Sequence, residues 1–181
     1  MSCSSAFKGS SDRSGFAPRP TSLGCVVIGA LSFLVLSLAL LAQAPAPVVS
    51  LHAAHAPVLK PGAQAAAKIE FAIAPGFHVQ SDHPNSPFLI PTTLRFEPAH
   101  GIAALAVHWP RAEQLKFGFS PTPLAVFSGT LPVSVDLRAP VRATAGAYVV
   151  KGTLRYQACN DTVCRPPASL PVVLKIRVSS R

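Results

Sequence analysis

Acidic residues are scarce in this chain: seven stand against 16 lysines and arginines in 181 residues. Cysteine is scarcer, with four copies, and beyond residue 42 no long stretch has helical periodicity. Each shortage excludes something. The cationic excess raises nucleic acid as a partner, yet there is no recognition-helix pattern and no aromatic-basic RNA motif to go with it. After residue 42 the charges are 13 Lys and Arg against six Asp and Glu, a net of +7, scattered along the chain. That distribution fits a basic envelope protein beside acidic partners or an anionic lipid surface, with no nucleic acid. The absence of C-x-x-C-H excludes covalent haem attachment. His52 and His55 sit three apart in an Ala/Pro-rich stretch and read as a solvated linker pair rather than metal ligands.

What is present begins with one apolar run. Residues 23–42 (LGCVVIGALSFLVLSLALLA) carry no charge. A helix of that length spans the roughly 30 Å hydrocarbon core of a bilayer. Lys8, Arg13 and Arg19 precede it against the single acid Asp12, so the positive-inside rule holds residues 1–22 in the cytoplasm and exports the rest. The run is a transmembrane anchor or a signal sequence. Each A-x-A-like cleavage site (Ala42–Ala44, Ala44–Ala46, Ala54–Ala56) is followed by a proline, a poor residue to present in a protease cleft, which favours retention. Cys25 lies inside the run, not after it, which excludes a lipoprotein reading. The expected location is the periplasm, on the outer face of the cytoplasmic membrane, anchored or secreted.

Residues 43–56 read as a semi-extended Ala/Pro-rich linker. From residue 57 short runs alternate with period two: Ile69, Phe71, Ile73; Leu105, Val107, Trp109; Leu131, Val133, Val135, Leu137; Tyr148, Val150, Leu154, Tyr156; Val172, Leu174, Ile176, Val178. Proline and glycine punctuate them, and Pro132 marks an edge strand or a strand start. The pattern predicts an all-β, immunoglobulin-like antiparallel sandwich over 57–181. Two stretches, 74–97 and 109–129, do not fit it and read as long loops, where function usually sits.

The exported part has one possible cysteine pair, Cys159 and Cys164, in YQACNDTVCRPP. A disulfide between them closes about six residues and gains roughly 2 kcal/mol by loop entropy, against about 4.7 for a hundred-residue loop. It is a weak staple in a domain with an ample core. As a metal site the pair lacks partners, since His78, His83, His100 and His108 form no paired ligand motif; copper on two thiolates stays open. The third reading is thiol–disulfide exchange, which needs two adjacent thiols and one accessible sulfur. Arg165 stands next to Cys164, and a nearby cation favours a thiolate.

At this point a resemblance becomes specific. YQACNDTVCRPPASLPVVL is similar to the active-site hairpin of the N-terminal periplasmic domain of the thiol:disulfide interchange protein DsbD family. PGFHVQSDHPNSPFLIPTTLRFE resembles that family's early strand region, and WPRAEQLKFGFSPTPLAVFSGTLPV its cap-loop segment. The resemblance implies an immunoglobulin-like domain that passes two electrons through Cys159 and Cys164 without a cofactor or metal. It implies thioredoxin-fold envelope partners, including those of disulfide isomerisation and cytochrome c maturation. By position, Cys164 makes the mixed disulfide and Cys159 resolves it. Tyr156 and Gln157 match the Y-Q preceding the pair, and Lys116, Phe117 and Gly118 match the cap, with Phe117 as the cover. Full-length members continue into a membrane reductase and a thioredoxin-like domain, whereas this sequence stops at Arg181. The expected electron donor is therefore a separate membrane reductase. A domain that had become an interaction module, keeping a small structural disulfide, is the alternative; it should lose only a little stability when both cysteines become serine.

Overall fold

A computed structural model describes residues 47–180. The apolar run at 23–42, along with Cys3 and Cys25, lies outside the described residues. Among those described there is no helix. Twelve strands form three four-stranded sheets: β1 (Val49–His55), β2 (Val58–Leu59), β3 (Gln64–Ile73), β4 (His78–Gln80), β5 (Thr93–Phe96), β6 (Ala103–His108), β7 (Glu113–Leu115), β8 (Leu124–Ser128), β9 (Thr130–Arg138), β10 (Gly146–Tyr156), β11 (Ala158–Cys159) and β12 (Ala168–Val178). The orders are β1-β3-β9-β6, β2-β12-β10-β5 and β11-β4-β8-β7. Every ladder is antiparallel except the short parallel pairing of β2 with β12.

The long strands follow directly from the alternation. β3 buries Ala67, Ile69, Phe71 and Ile73, and β9 buries Leu131, Val133, Val135 and Leu137. From the second sheet β10 supplies Val150, Leu154 and Tyr156, and β12 supplies Val172, Leu174, Ile176 and Val178. These side chains meet in one core, giving the immunoglobulin-like sandwich. Each fully buried aliphatic side chain contributes roughly 1.5–3 kcal/mol relative to exposure. Gly152 lies among them because nothing larger fits: an added Cβ would stand 2.5 Å from Phe96 Cδ1 and 2.8 Å from the Arg95 carbonyl. Pro132 is the third residue of β9, opposite Glu70 of β3 and before the β6 ladder starts at Ser134. Its missing N–H therefore interrupts no second ladder.

Two expectations are corrected here. Residues 49–55, read as linker, form β1 and pair with β3 from Val49↔Ile73 to His55↔Lys68. Val48 and Val49 are buried in the core. A register shift between Leu51 and Ala53 breaks the period, and the small Ala and polar His residues of an edge strand carry little pattern to read. The stretches 74–97 and 109–129, read as loops, contain β4, β5, β7 and β8. Three of these four build the third sheet, with β11. β4 is three residues long and buried throughout, and the first four residues of β8 are buried too, so neither shows an alternation.

Candidate dithiol–disulfide site

β10 leaves the second sheet at Tyr156, and the chain passes through Gln157 into β11, which pairs with β4. Cys159 and Cys164 then oppose each other in an antiparallel bridge. The bonds flanking them, Asn160 N–H to the Val163 carbonyl (3.0 Å) and Arg165 N–H to the Ala158 carbonyl (2.8 Å), make this a non-hydrogen-bonded pair, the position where opposed side chains come closest. Their Cα atoms are 3.9 Å apart and the sulfurs are joined as a disulfide. The intervening turn is held by Asn160, whose Oδ1 accepts from the Thr162 N–H (3.0 Å), the Thr162 hydroxyl (3.0 Å) and the Val163 N–H (2.8 Å). A short asparagine-led loop closes in this way without support from elsewhere. The two sulfurs differ in access: Cys159 is fully buried, while Cys164 is partly exposed.

The third sheet is two-faced. Val79, Phe127 and Ala158 join the main core. Alternation turns their neighbours His78, Gln80, Val126 and Cys159 to the opposite face. Cys159 stands directly across from His78, and Gln80 across from Val126. Over this second face lies a smaller apolar cluster of Phe117, Leu124 and Val126, with Leu89 against it. Phe117 is 7% exposed. Its ring stacks on His78, with centroids 4.0 Å apart, and on Phe119 at 5.5 Å. Gln80 Nε2 donates to Cys159 Sγ at 3.4 Å.

The expected site residues come together unevenly. Gln157 is a junction: its Oε1 accepts from the Ile90 N–H (3.3 Å), its Nε2 donates to the Arg165 carbonyl (3.3 Å), and its own carbonyl accepts from the Gln80 N–H (3.3 Å). Tyr156 is buried in the main core. Arg165 lays its guanidinium 4.4 Å from the centroid of the Phe77 ring, a cation–π contact that fixes a positive charge beside the hairpin. Lys116 and Gly118 are exposed on either side of Phe117. An added Cβ on Gly118 would meet nothing within 4 Å, so the turn does not require glycine there. Among the described residues no three His, Cys, Asp or Glu side chains converge as metal ligands. Sequence reasoning weighed His78 only as a metal ligand and passed over Gln80. The alternation within His78-Val79-Gln80 puts both polar side chains on one face, but only the pairing with β11 shows that Cys159 shares it.

His78 gives the site a pH dependence. Burial pushes its pKa below the ordinary 6.5, and the charge of Asp161 in the cysteine loop pulls the other way. The unfolded chain therefore binds the proton more readily than the folded one. The neutral-His78 contribution is fully present above about pH 6.5 and is lost as the pH falls below that toward the lowered folded value. We expect the urea midpoint of the oxidised chain to fall between pH 7.5 and 5.5. His78→Phe, which keeps the stack on Phe117, should flatten that slope; an unchanged slope would remove His78 as its source.

Solved structures similar to the chain include the reduced N-terminal domain of DsbD from Neisseria meningitidis, at 19% identity over 61% of this chain and 77% of that one, with a TM-score of 0.42. The complex between the DsbD and PilB N-terminal domains of Neisseria meningitidis matches at 17% identity, 73% and 86% coverage and a TM-score of 0.43. The N-terminal periplasmic domain of ScsB from Proteus mirabilis matches at 13% identity, 70% and 44% coverage and a TM-score of 0.47. No curated protein matches the sequence. Residues 46–174, most of the chain, match the family described as thiol:disulfide interchange protein DsbD, N-terminal, and the chain belongs to that family.

Proposed function

We propose that this chain is an envelope electron shuttle, cycling Cys159 and Cys164 between dithiol and disulfide. The observation that carries the reading is the hairpin itself: a disulfide closing a six-residue loop, with one sulfur buried and the other partly exposed. In the reducing direction the Cys164 thiolate attacks a partner disulfide and releases one partner sulfur as thiolate. Cys159 then attacks Cys164 Sγ and expels the second partner sulfur. Two electrons pass to the partner, and the domain is left oxidised. Partners of thioredoxin fold, including those of disulfide isomerisation and cytochrome c maturation, suit this chemistry. A membrane reductase would return the electrons. The apolar run at 23–42 supports a location on the outer face of the cytoplasmic membrane, where disulfides persist. Phe117, flanked by Lys116 and Gly118, covers the site, and Arg165 beside Cys164 favours its thiolate.

A redox titration of the full chain in dithiothreitol buffers tests the reading. Shuttling requires a potential above about −300 mV, because structural disulfides lie below that value and resist reduction. A lower potential would mark the bond as a staple and overturn the proposal.

A further inference from the structure

The face that carries Cys159 is oddly polar for its burial. Gln80 is 0% exposed and His78 4%. His78 Nε2 and Gln80 Oε1 have no hydrogen-bond partner. Unpartnered buried polar atoms are destabilising, and native proteins hold few of them. An apolar side chain at position 80 would suit the neighbouring Val126 and Phe117 cluster better, so the glutamine needs a reason. Its side chain has a single hydrogen bond, from Nε2 to Cys159 Sγ. A disulfide sulfur accepts weakly. A thiolate accepts strongly, because bonds to charged groups are about twice as strong as neutral ones. Cys159 is fully buried, and burial in apolar surroundings disfavours its thiolate.

We propose that Gln80 is a further catalytic residue of the exchange reaction, its amide N–H stabilising negative charge on Cys159 Sγ. The proposal rests on the exchange reading above. When a donor dithiol reduces the domain, its thiolate attacks Cys164 Sγ and the Cys159–Cys164 bond breaks. The electron pair moves onto Cys159 Sγ, and Gln80 Nε2–H donates a hydrogen bond to the thiolate that forms. The donor's second thiolate then displaces Cys164 as a thiolate, the donor ends as a disulfide, and two electrons have moved. In the opposite direction the same N–H holds Cys159 as the thiolate that resolves the mixed disulfide. His78, on the same face, is kept toward its neutral form by burial, so the stabilisation comes from an uncharged amide dipole and not from a fixed cation.

The test uses the full chain with Cys3 and Cys25 replaced by serine. Adding Cys164→Ala leaves Cys159 as the sole thiol, whose ionisation is followed by thiolate absorbance with and without Gln80→Met, a substitution that keeps length and removes the amide. The Cys159 pKa should rise by about one unit in Gln80→Met, and dithiothreitol should reduce the intact disulfide about ten-fold more slowly, the equivalent of one hydrogen bond to a charged group. An unchanged pKa overturns the proposal, and so does a lowered one, which would mean that the amide oxygen accepts from the S–H instead. Should Gln80→Met not fold, the side-chain amide resonances of Gln80 in the Cys164→Ala chain must shift in step with Cys159 ionisation; their indifference to pH also overturns it. If the unsubstituted chain exchanges and Gln80→Met matches its rate, only the role of Gln80 falls. If the unsubstituted disulfide resists dithiothreitol, the exchange reading falls and takes Gln80 with it.

Discussion

Cys159→Ser in the full chain should trap a mixed disulfide between Cys164 and a thioredoxin-fold partner, while Cys164→Ser should trap almost none. The asymmetry comes from access. Cys164 is partly exposed and accessible to a second protein's sulfur. Cys159 is 0% exposed, on the face it shares with His78 and Gln80, and no sulfur from outside reaches it while the hairpin stays closed. Removing Cys159 also removes the only other thiol among the described residues able to expel the partner, so the adduct persists instead of turning over. The effect is close to all-or-none and reads directly on a non-reducing gel, with the linked cysteine identified by mass spectrometry. Equal trapping by both variants would reverse or erase the division of roles.

Phe117→Ala should separate shielding from stability. The phenylalanine is buried, though slightly more exposed than any buried residue of the main core, and it belongs to a small cluster with Leu124, Val126 and Leu89. One face of its ring covers His78 directly across from Cys159, and it also stacks on Phe119, itself 42% exposed. Truncation strips a thin lid and leaves the sandwich beneath untouched. We expect a stability loss well under the 3–5 kcal/mol typical of a truncated core phenylalanine, measured by urea unfolding. We also expect markedly faster reaction of the reduced pair with a small oxidant such as hydrogen peroxide. A loss in the full core range without a rate change would make Phe117 a packing residue and nothing more.

How much of this was legible depends on strand length. β9, β10 and β12 run nine to eleven residues, long enough for apolar residues to repeat at every second position and announce a buried face. The same held for the C-terminal half of β3. β1 has comparable pairing but a shifted register after Leu51, and a slip of one residue moves apolar positions to the wrong face. β4 and β7 are three residues each, too short to contain a period. The cysteine pair could be read from local spacing because its geometry is made within one hairpin. Gln80 could not be: it lies 79 positions from Cys159 and reaches it only through a pairing that local sequence does not encode. Tyr156 was legible as a neighbour of the pair, but its side chain serves the main core rather than the sulfurs.

The pleat of the third sheet sorts its residues by parity. Along β4, position 79 belongs to the sandwich interior while 78 and 80 lie beside Cys159; along β8, 127 faces inward while 124 and 126 cluster with Phe117. β11 makes the same division between Ala158 and Cys159. Two surfaces with unrelated requirements are thus interleaved one residue apart on the same backbone. Substitutions at 78, 80 and 159 therefore need not repack 79, 127 and 158, and β4, β8 and β11 are held to the interior by those alternate side chains rather than by the disulfide.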